Sequence, residues 1–206
     1  MGHLALGGAG NAGNSSTVLL SDNFNIADGT ANPALWADGC SIFHDRMLLN
    51  YTIEGGRTAI NIPQNVTITT DIGSVLVPDG TYNQPDVLNL RADNINNVLI
   101  GLLYTVSGGV VTAASLEGQF QDGTSLFSVN ILPYSTELAA ATEFWFRSVV
   151  VKISGSTLTV SVNGTPIVNL TSALLSGTVS PMFLYMCETF TMHWHMCYDN
   201  FLITTP

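Results

Sequence analysis

FWFRSVVVKISGSTLTVSVNGTPIVNL, residues 144–170, is the stretch that decides the fold. Between residues 157 and 162, apolar Leu and Val alternate with Thr and Ser, which is the period of a strand with one buried face. Asn163-Gly164 follows directly, and this dipeptide favours a two-residue hairpin turn. Ser154-Gly155-Ser156 marks another turn before it. The stretch therefore predicts three consecutive antiparallel strands.

Similar strands separated by turn residues are predicted along the rest of the chain. The triplet Asp22-Asn23-Phe24 near the start is repeated by Asp199-Asn200-Phe201 near the end. Short strands at this spacing, with no long helical period, are typical of an all-β sandwich. We expect an antiparallel jelly-roll β-sandwich whose first and last strands lie close together. The other main expectations are strands at 18–24, 65–77 and 98–106, a long loop with one short strand at 79–97, and one helical turn at 136–142.

Two regions are predicted: an extended N-terminal arm over residues 1–17, and the sandwich domain over residues 18–206. The arm consists largely of Gly, Ala, Asn and Ser and has little apolar surface to bury. We expect a neighbouring subunit to hold it, because small side chains let two backbones approach closely. Packing on its own domain is the alternative. The expected contact residues of the arm are Leu4, Leu6, Asn11 and Asn14.

The composition excludes some partners. Charged residues make up 10% of the 206 residues, the net charge is −10, and Lys152 is the only lysine. Nothing here neutralises phosphates, so we expect no nucleic-acid partner and no anionic membrane surface. A polar, uncharged surface suits a protein covered by other subunits or working outside a cell. We expect a homo-oligomer, with a trimer as its order.

Targeting signals and disulfide patterns are not evident. The first residues have no basic region followed by an apolar core, and no stretch reaches the ~20 apolar residues of a membrane span. We therefore expect synthesis in a cytoplasm without a signal peptide. The three cysteines are not a disulfide framework, although a single bridge and three buried thiols both stay open.

Three segments carry a family resemblance: VVVKISGSTLTVSVNGTPI, SGTVSPMFLYM and MCYDNFLIT. Together they resemble the C-terminal half of concanavalin A-like (laminin-G-like) jelly rolls, in which a Gly turn leads into an "LTVYVNG" strand. The resemblance covers roughly residues 20–55 and 144–204. It implies the fold, but the same fold holds lectins, glycan hydrolases, adhesive modules and virion-surface proteins.

The sequence lacks the catalytic motif of the glycan hydrolases that have this fold. Glycan hydrolysis on such a fold resembles the family-16 pattern, in which Glu-x-Asp-x-x-Glu places paired carboxylates on one strand. No Glu-x-Asp occurs, and no glutamate has a carboxylate two residues away. We therefore expect no enzymatic activity and no catalytic residues. The glutamates considered are Glu54, Glu117, Glu137, Glu143 and Glu188.

Two groups of residues are candidates for a metal ion. On a strand, His193 and His195 face the same way, as a zinc site requires. Asp22, Asp28 and Asp199 come together for a structural calcium ion if the terminal strands pair. Ordinary strand and turn roles explain both groups as well, so we expect no cofactor, with structural calcium as the exception.

Aromatic side chains are the candidates for glycan contact. Most large aromatic residues belong to cores, but Tyr82 and Tyr134 stand in loop-like or proline-flanked settings. Trp194 belongs to the unusual string MHWHMC, where exposed rings favour interfaces.

Three functions remain open from the sequence. The favoured one is a non-enzymatic virion-surface subunit of the capsid-decorating (cement) type, assembled through its arm and sandwich faces and located in the virion. The alternative is a carbohydrate-binding, lectin-like or adhesin module, such as the receptor-binding part of a phage assembly. An enzyme of unrecognised type is the third.

Overall fold

The computed structural model describes residues 16–25, 28–37, 41–42, 47–48, 56–60, 62–75, 77–90, 97–135, 137–139, 143–176, 185–186 and 195–206. The arm residues Leu4, Leu6, Asn11 and Asn14 lie outside these ranges, so their predicted contacts stay predictions.

Sixteen strands occur in the described ranges, together with two short 3₁₀ turns at Leu132–Tyr134 and Ala173–Ser176. The strands are β1 (Val18–Asp22), β2 (Gly29–Thr30), β3 (Trp36–Ala37), β4 (Ser41–Ile42), β5 (Met47–Leu48), β6 (Gly56–Thr58), β7 (Val66–Val75), β8 (Gly80–Leu90), β9 (Val98–Ser107), β10 (Val110–Phe120), β11 (Ser125–Asn130), β12 (Glu143–Ser154), β13 (Thr157–Val162), β14 (Thr165–Thr171), β15 (Tyr185–Met186) and β16 (His195–Thr204).

The strands form two antiparallel sheets, and the predicted sandwich is confirmed. The nine-stranded sheet has the order β14-β13-β12-β7-β16-β5-β4-β2, with β1 also paired to β16. The seven-stranded sheet has the order β11-β10-β9-β8-β15-β6-β3. The first and last strands pair as predicted, and Asp22 lies opposite Phe201.

The apolar faces of both sheets form the core between them. On β13, Leu158, Val160 and Val162 are buried while the intervening Thr and Ser are half-buried, as the alternation predicts. Burying each such side chain contributes about 1.5–3 kcal/mol. At one end of the core the edge of the Trp36 ring packs on Phe201, with the ring centroids 5.1 Å apart.

The predicted loop over residues 79–97 is wrong, because β8 occupies Gly80–Leu90. Its Asn, Gln and Pro residues are poor strand formers, which hides the strand in the sequence. Pairing with β9 shifts register between Gln84 and Leu88, so Pro85 falls in an irregularity where the ladder has no need of its missing N–H. The neighbouring strand β9 is almost wholly apolar in sequence, yet Leu99 and Leu103 are half-buried.

A bulge also changes the faces expected for β12. Strict alternation from Phe144 puts Val149 on the face of Trp145, but the register shifts between Phe146 and Val149. Ser148 adopts a left-handed φ of 48° there, and Val149 turns into the core at 1% exposure. The single helical turn predicted at 136–142 is not seen in residues 137–139, where Glu137 and Ala139 form isolated β-bridges.

Membrane-spanning helices were also sought. Within the ranges given above, no helix is long and apolar enough to cross a bilayer.

Candidate functional site

The seven-stranded sheet has one face toward the core and one exposed face. The buried residues on its strands identify which positions belong to the exposed face. Leu88 on β8 lies opposite Ile100 on β9, and both are fully buried. Side chains alternate along a strand, so Asn89 and its partner Leu99 lie on the opposite face. Both are half-buried, and neither belongs to the core between the sheets.

A row of mainly polar residues crosses this face. Asn89 lies opposite Leu99 on one side and opposite Tyr185 of β15 on the other. Tyr185 in turn lies opposite Arg57 of β6, and Leu99 lies opposite Gln119 of β10. We call the residues Arg57, Tyr185, Asn89, Leu99 and Gln119 the polar row.

Asn89 contains an unsatisfied hydrogen-bond acceptor. Its Oδ1 atom is buried and has no hydrogen-bond partner. Leaving such an acceptor unsatisfied costs about 1–3 kcal/mol, so folded proteins rarely retain one without a reason. An amide poised on a sheet face suits a ligand that supplies the missing donor.

Two residues along β9 from Leu99, on the same face of the sheet, an acidic residue stands on the neighbouring strand on each side. Gly101 of β9 lies opposite Glu117 of β10. On the other side, Gly101 lies opposite the register irregularity of β8. This irregularity contains three residues, Pro85, Asp86 and Val87. We call Asp86, Gly101 and Glu117 the acidic row. Neighbouring strands are about 4.8 Å apart, so the backbones of β8 and β10 lie about 10 Å apart across β9.

Gly101 forms the floor of the acidic row. Its backbone is buried, and it carries no side chain between the positions of Asp86 and Glu117. A glycine inside a strand commonly marks the close approach of a ligand or another backbone. Glu117 is half-buried, and its Oε1 accepts a weak hydrogen bond of 3.4 Å from Ser128 Oγ. Glu117 forms no salt bridge with a residue in the ranges given above.

The irregular segment of β8 is held from the opposite sheet. Tyr198 of β16 is fully buried, and its hydroxyl donates a hydrogen bond of 2.6 Å to the carbonyl oxygen of Val87. The bond satisfies a backbone acceptor next to Asp86 and spans the core between the two sheets.

The predicted glycan residues are placed differently. Tyr82 is a core residue at 3% exposure, so its expected surface role is wrong. Its hydroxyl donates to the carbonyl oxygen of Pro78 at 2.8 Å, its ring stacks on Tyr104, and burial raises its pKa. Tyr134 is half-buried and packs against the core from its 3₁₀ turn. Trp194 lies outside the described residues.

The predicted calcium ligands have other partners. Asp22 accepts hydrogen bonds of 2.8 Å from the Phe24 backbone N–H and the Trp36 indole N–H. Asp199 accepts one of 2.7 Å from the Asn200 backbone N–H, and Asp28 is exposed. In the described part of the chain, no three His, Cys, Asp or Glu side chains group as a metal site.

The predicted zinc ligands are untested. His193 lies outside the described residues, and of His195 only the backbone position on β16 is described. The nearby Cys197 is fully buried.

A separate ionic cluster lies on the outer face of the nine-stranded sheet, and the sequence did not predict it. Arg147 contacts Glu137 at 2.8 Å and Asp71 at 3.0 Å. The hydrogen bonds that Arg147 donates to Glu137, followed by its interaction with Asp71, raise the pKa of Arg147. Asp71 Oδ1 also accepts the Ser148 backbone N–H at 2.7 Å. With Arg147 satisfied on both sides, we interpret this cluster as structural.

Sequence comparisons assign no family. No protein-family model matches the chain, and no curated protein matches it.

Similarity to solved structures is extensive. A Bacillus licheniformis β-glucanase superposes with a TM-score of 0.56 at 11% identity, covering 91% of this chain and 97% of its own. The catalytic domain of a Thermotoga petrophila endo-1,3-β-glucanase (laminarinase) gives 0.59 at 9% identity, over 93% and 98%. A mutant of alginate lyase Aly36B, in complex with an alginate tetrasaccharide, gives 0.57 at 14% identity, over 92% and 96%. These neighbours include glycoside hydrolase family 16-type β-glucanases with the concanavalin A-like jelly roll, so the likeness establishes the fold while no specific family is assigned.

These findings correct the functional expectations. The interpretation as a non-enzymatic, virion-surface subunit is wrong, since the neighbours are β-glucanases, laminarinases and an alginate lyase. The polar, uncharged surface was the reason to predict a protein covered by other subunits. Such a surface suits contact with hydroxyl-rich glycans equally well. Oligomer formation stays a prediction.

Sequence reasoning missed Asp86, Gly101, Glu117 and Asn89. The search for paired carboxylates considered a single strand, whereas Asp86 and Glu117 stand on two strands either side of a third. Their positions in the sequence are 31 residues apart, and only the register of β8, β9 and β10 relates them. The one available signal was Gly101 inside the apolar run of β9.

Proposed function

We propose that this protein is a carbohydrate-active enzyme that cleaves a polysaccharide on the exposed face of its seven-stranded sheet. Asp86 and Glu117 supply the acid and base. The observation that carries the proposal is their register on either side of Gly101.

The spacing of the acidic row suits glycoside hydrolysis. Hydrolases place two carboxyl groups about 5–9.5 Å apart, on opposite sides of the scissile bond. The backbones of β8 and β10, about 10 Å apart across β9, place these two positions within reach of one bound sugar chain. Glu117 has no cationic partner in the described ranges that would compete with a bound substrate for its carboxylate.

The surrounding face suits a sugar chain. Asn83, Ser115 and Asn130 form a further row beside the acidic row, and the polar row lies on its other side. Amides and hydroxyls both donate and accept, as sugar hydroxyls do. Among the neighbours, a variant of LamA from Z. galactanivorans is described in complex with laminaritriose and laminaritetraose, and the lyase with an alginate tetrasaccharide. These descriptions support a polysaccharide as the substrate class.

The experiment measures cleavage of laminarin, mixed-linkage β-glucan, alginate and mucin glycans by new reducing ends and by product mass. We expect at least one substrate to be cut, and Glu117→Gln and Asp86→Asn each to lower the rate by about 10²–10⁴. Glu137→Gln removes a carboxylate on the other sheet and is the matched control, with an unchanged rate. Melting curves verify that each variant is folded.

Product mass separates two reactions. Hydrolysis adds one water to each cleaved linkage, whereas elimination leaves an unsaturated sugar and adds none. Cleavage that survives both substitutions overturns the roles of Asp86 and Glu117, and a protein that cuts none of the four substrates overturns the proposed activity.

A further inference from the structure

A cleft lies on the outer face of the nine-stranded sheet, on the other side of the sandwich from the acidic row. It has a volume of about 350 Å³ and is lined by Lys152, Ser154, Thr157 and Thr159. Lys152 of β12 lies opposite Thr159 of β13, and Ser154 lies opposite Thr157. The four side chains therefore form a compact two-by-two patch on one hairpin.

The cleft presents polar groups without partners of their own. The side chains of Lys152 and its three hydroxyl neighbours make no hydrogen bond or ion pair with any residue in the described ranges. Lys152 is the only lysine in a chain with 15 acidic and 5 basic residues. An ammonium group surrounded by hydroxyls, and with no carboxylate beside it, is an unusual use of the single lysine.

Among the described residues, no acidic side chain lines the cleft. Residues 144–176, which include β13, β14 and all of β12 after its first residue Glu143, contain no Asp or Glu. The nearest described ionic cluster centres on Arg147, five residues along β12, or about 16 Å away. Charges are screened over about 8 Å at physiological ionic strength. The negative net charge of the protein therefore does little to repel an anion from Lys152.

The cleft is built on a rigid hairpin. The turn after β12 is tied to the start of β7, because Asn65 Oδ1 accepts the Gly155 backbone N–H at 2.8 Å. On the other side, the Ser172 backbone N–H donates to the carbonyl oxygen of Ser156 at 2.9 Å. Sites on such tied strands hold their polar groups in place before a ligand arrives.

We propose that this cleft is a second binding site, for an anionic carbohydrate. Lys152 pairs with the acid group of the sugar, and Ser154, Thr157 and Thr159 bond its hydroxyls. An ammonium offers three donors to a carboxylate or a sulfate, and hydroxyls match sugar hydroxyls in both directions. The carbohydrate class rests on the proposed function, whereas the negative charge of the ligand rests on Lys152.

The experiment titrates the whole protein with three oligosaccharides: alginate (uronate), carrageenan (sulfate ester) and laminarin (neutral). Backbone amide NMR shifts at Ser154, Thr157 and Thr159 report on the cleft, and shifts at Gly101 and Glu117 report on the acidic row. We expect an anionic oligosaccharide to shift the cleft signals, more weakly at high salt, and laminarin to leave them unchanged.

Substitutions then assign the contact. Lys152→Met should weaken anion binding about tenfold or more, since hydrogen bonds to charged groups contribute that much. Lys152→Arg keeps the charge and should retain most of the binding. Thr159→Val should weaken binding, while the matched change Thr69→Val, outside the cleft on the same sheet, should not.

The outcomes are distinct from those of the proposed function. Cleft shifts with only the uronate, or only the sulfate, identify the acid group. The second site is overturned if the cleft signals do not shift with either anion or shift equally with laminarin. It is also overturned if the anion-induced shifts are unchanged in the Lys152→Met variant. Cleavage at the acidic row is judged separately, by the activity of the Glu117→Gln variant.

Discussion

The hydroxyl of Tyr198 on the nine-stranded sheet donates a hydrogen bond of 2.6 Å to the carbonyl oxygen of Val87 on the seven-stranded sheet. Val87 follows Asp86 in the irregular segment of β8, where regular pairing with β9 is interrupted. The bond thus joins the two sheets at one point. A core side chain of one sheet fixes the backbone that carries an acidic residue of the other.

The first prediction concerns this bond. Tyr198→Phe keeps the ring and leaves the Val87 carbonyl unsatisfied in the core, so we expect a loss of about 1–3 kcal/mol in the free energy of unfolding. We also expect slower polysaccharide cleavage, because the segment bearing Asp86 is less well fixed. Chemical denaturation and the cleavage assay measure both effects.

Tyr134→Phe is the control for that prediction. Tyr134 is half-buried in a 3₁₀ turn, and a substitution away from buried contacts usually changes stability by less than about 0.5 kcal/mol. Equal stability of the two variants would show that the Tyr198 hydroxyl has no structural role.

The second prediction concerns Asp71, which lies between two strands that both leave regular geometry. Ser148 on β12 and Asn200 on β16 adopt left-handed φ angles of 48° and 50°. Asp71 accepts the Ser148 backbone N–H at 2.7 Å and the Asn200 side-chain amide at 2.9 Å. Asp71→Ala removes both acceptors at a buried site, and we expect a loss of about 1–3 kcal/mol in chemical denaturation.

Glu137→Ala is the matched comparison, since Glu137 pairs with the same Arg147 but is 46% exposed. Exposed ion pairs contribute about 0–1 kcal/mol, and water replaces the lost carboxylate. A Glu137→Ala variant as unstable as Asp71→Ala would contradict the assignment of the two roles.

The sequence predicted the parts of the fold in which local pattern and tertiary structure agree. In β13, the Leu and Val residues that alternate are the ones that are buried, and Asn163, at a φ of 49°, turns as its dipeptide predicts. Prediction failed where a bulge intervened. The bulge at Ser148 places Val149 in the core, which simple alternation does not predict. The irregular segment around Pro85 gives β8 the sequence pattern of a loop.

The candidate site was out of reach of sequence reasoning for a related reason. Asp86, Gly101 and Glu117 become neighbours only through the pairing of β8 with β9 and of β9 with β10. Register depends on interactions that are distant in sequence, so no single-strand motif encodes it. Tyr82 was mispredicted in the opposite direction. Its loop-like setting in the sequence suggested an exposed side chain, but the side chain lies in the core and its hydroxyl donates a hydrogen bond to the Pro78 carbonyl.

The last prediction is a pH dependence at the start of β8. The backbone N–H groups of Gly108 and Gly109 donate to Asp79 at 2.8 and 3.1 Å, and they hold its pKa below the ordinary value of 3.8. The carboxylate therefore stabilises the folded state fully above about pH 4 and loses that effect as the pH falls through its folded pKa. Asp79→Asn should lower the melting temperature at neutral pH, with the gap to the natural protein closing as the pH falls below about 4. Asp122→Asn is the matched variant, since the Thr124 backbone N–H lowers the pKa of Asp122 and the same window applies. A gap that stays constant over this range would show that the turn does not depend on the charge of Asp79.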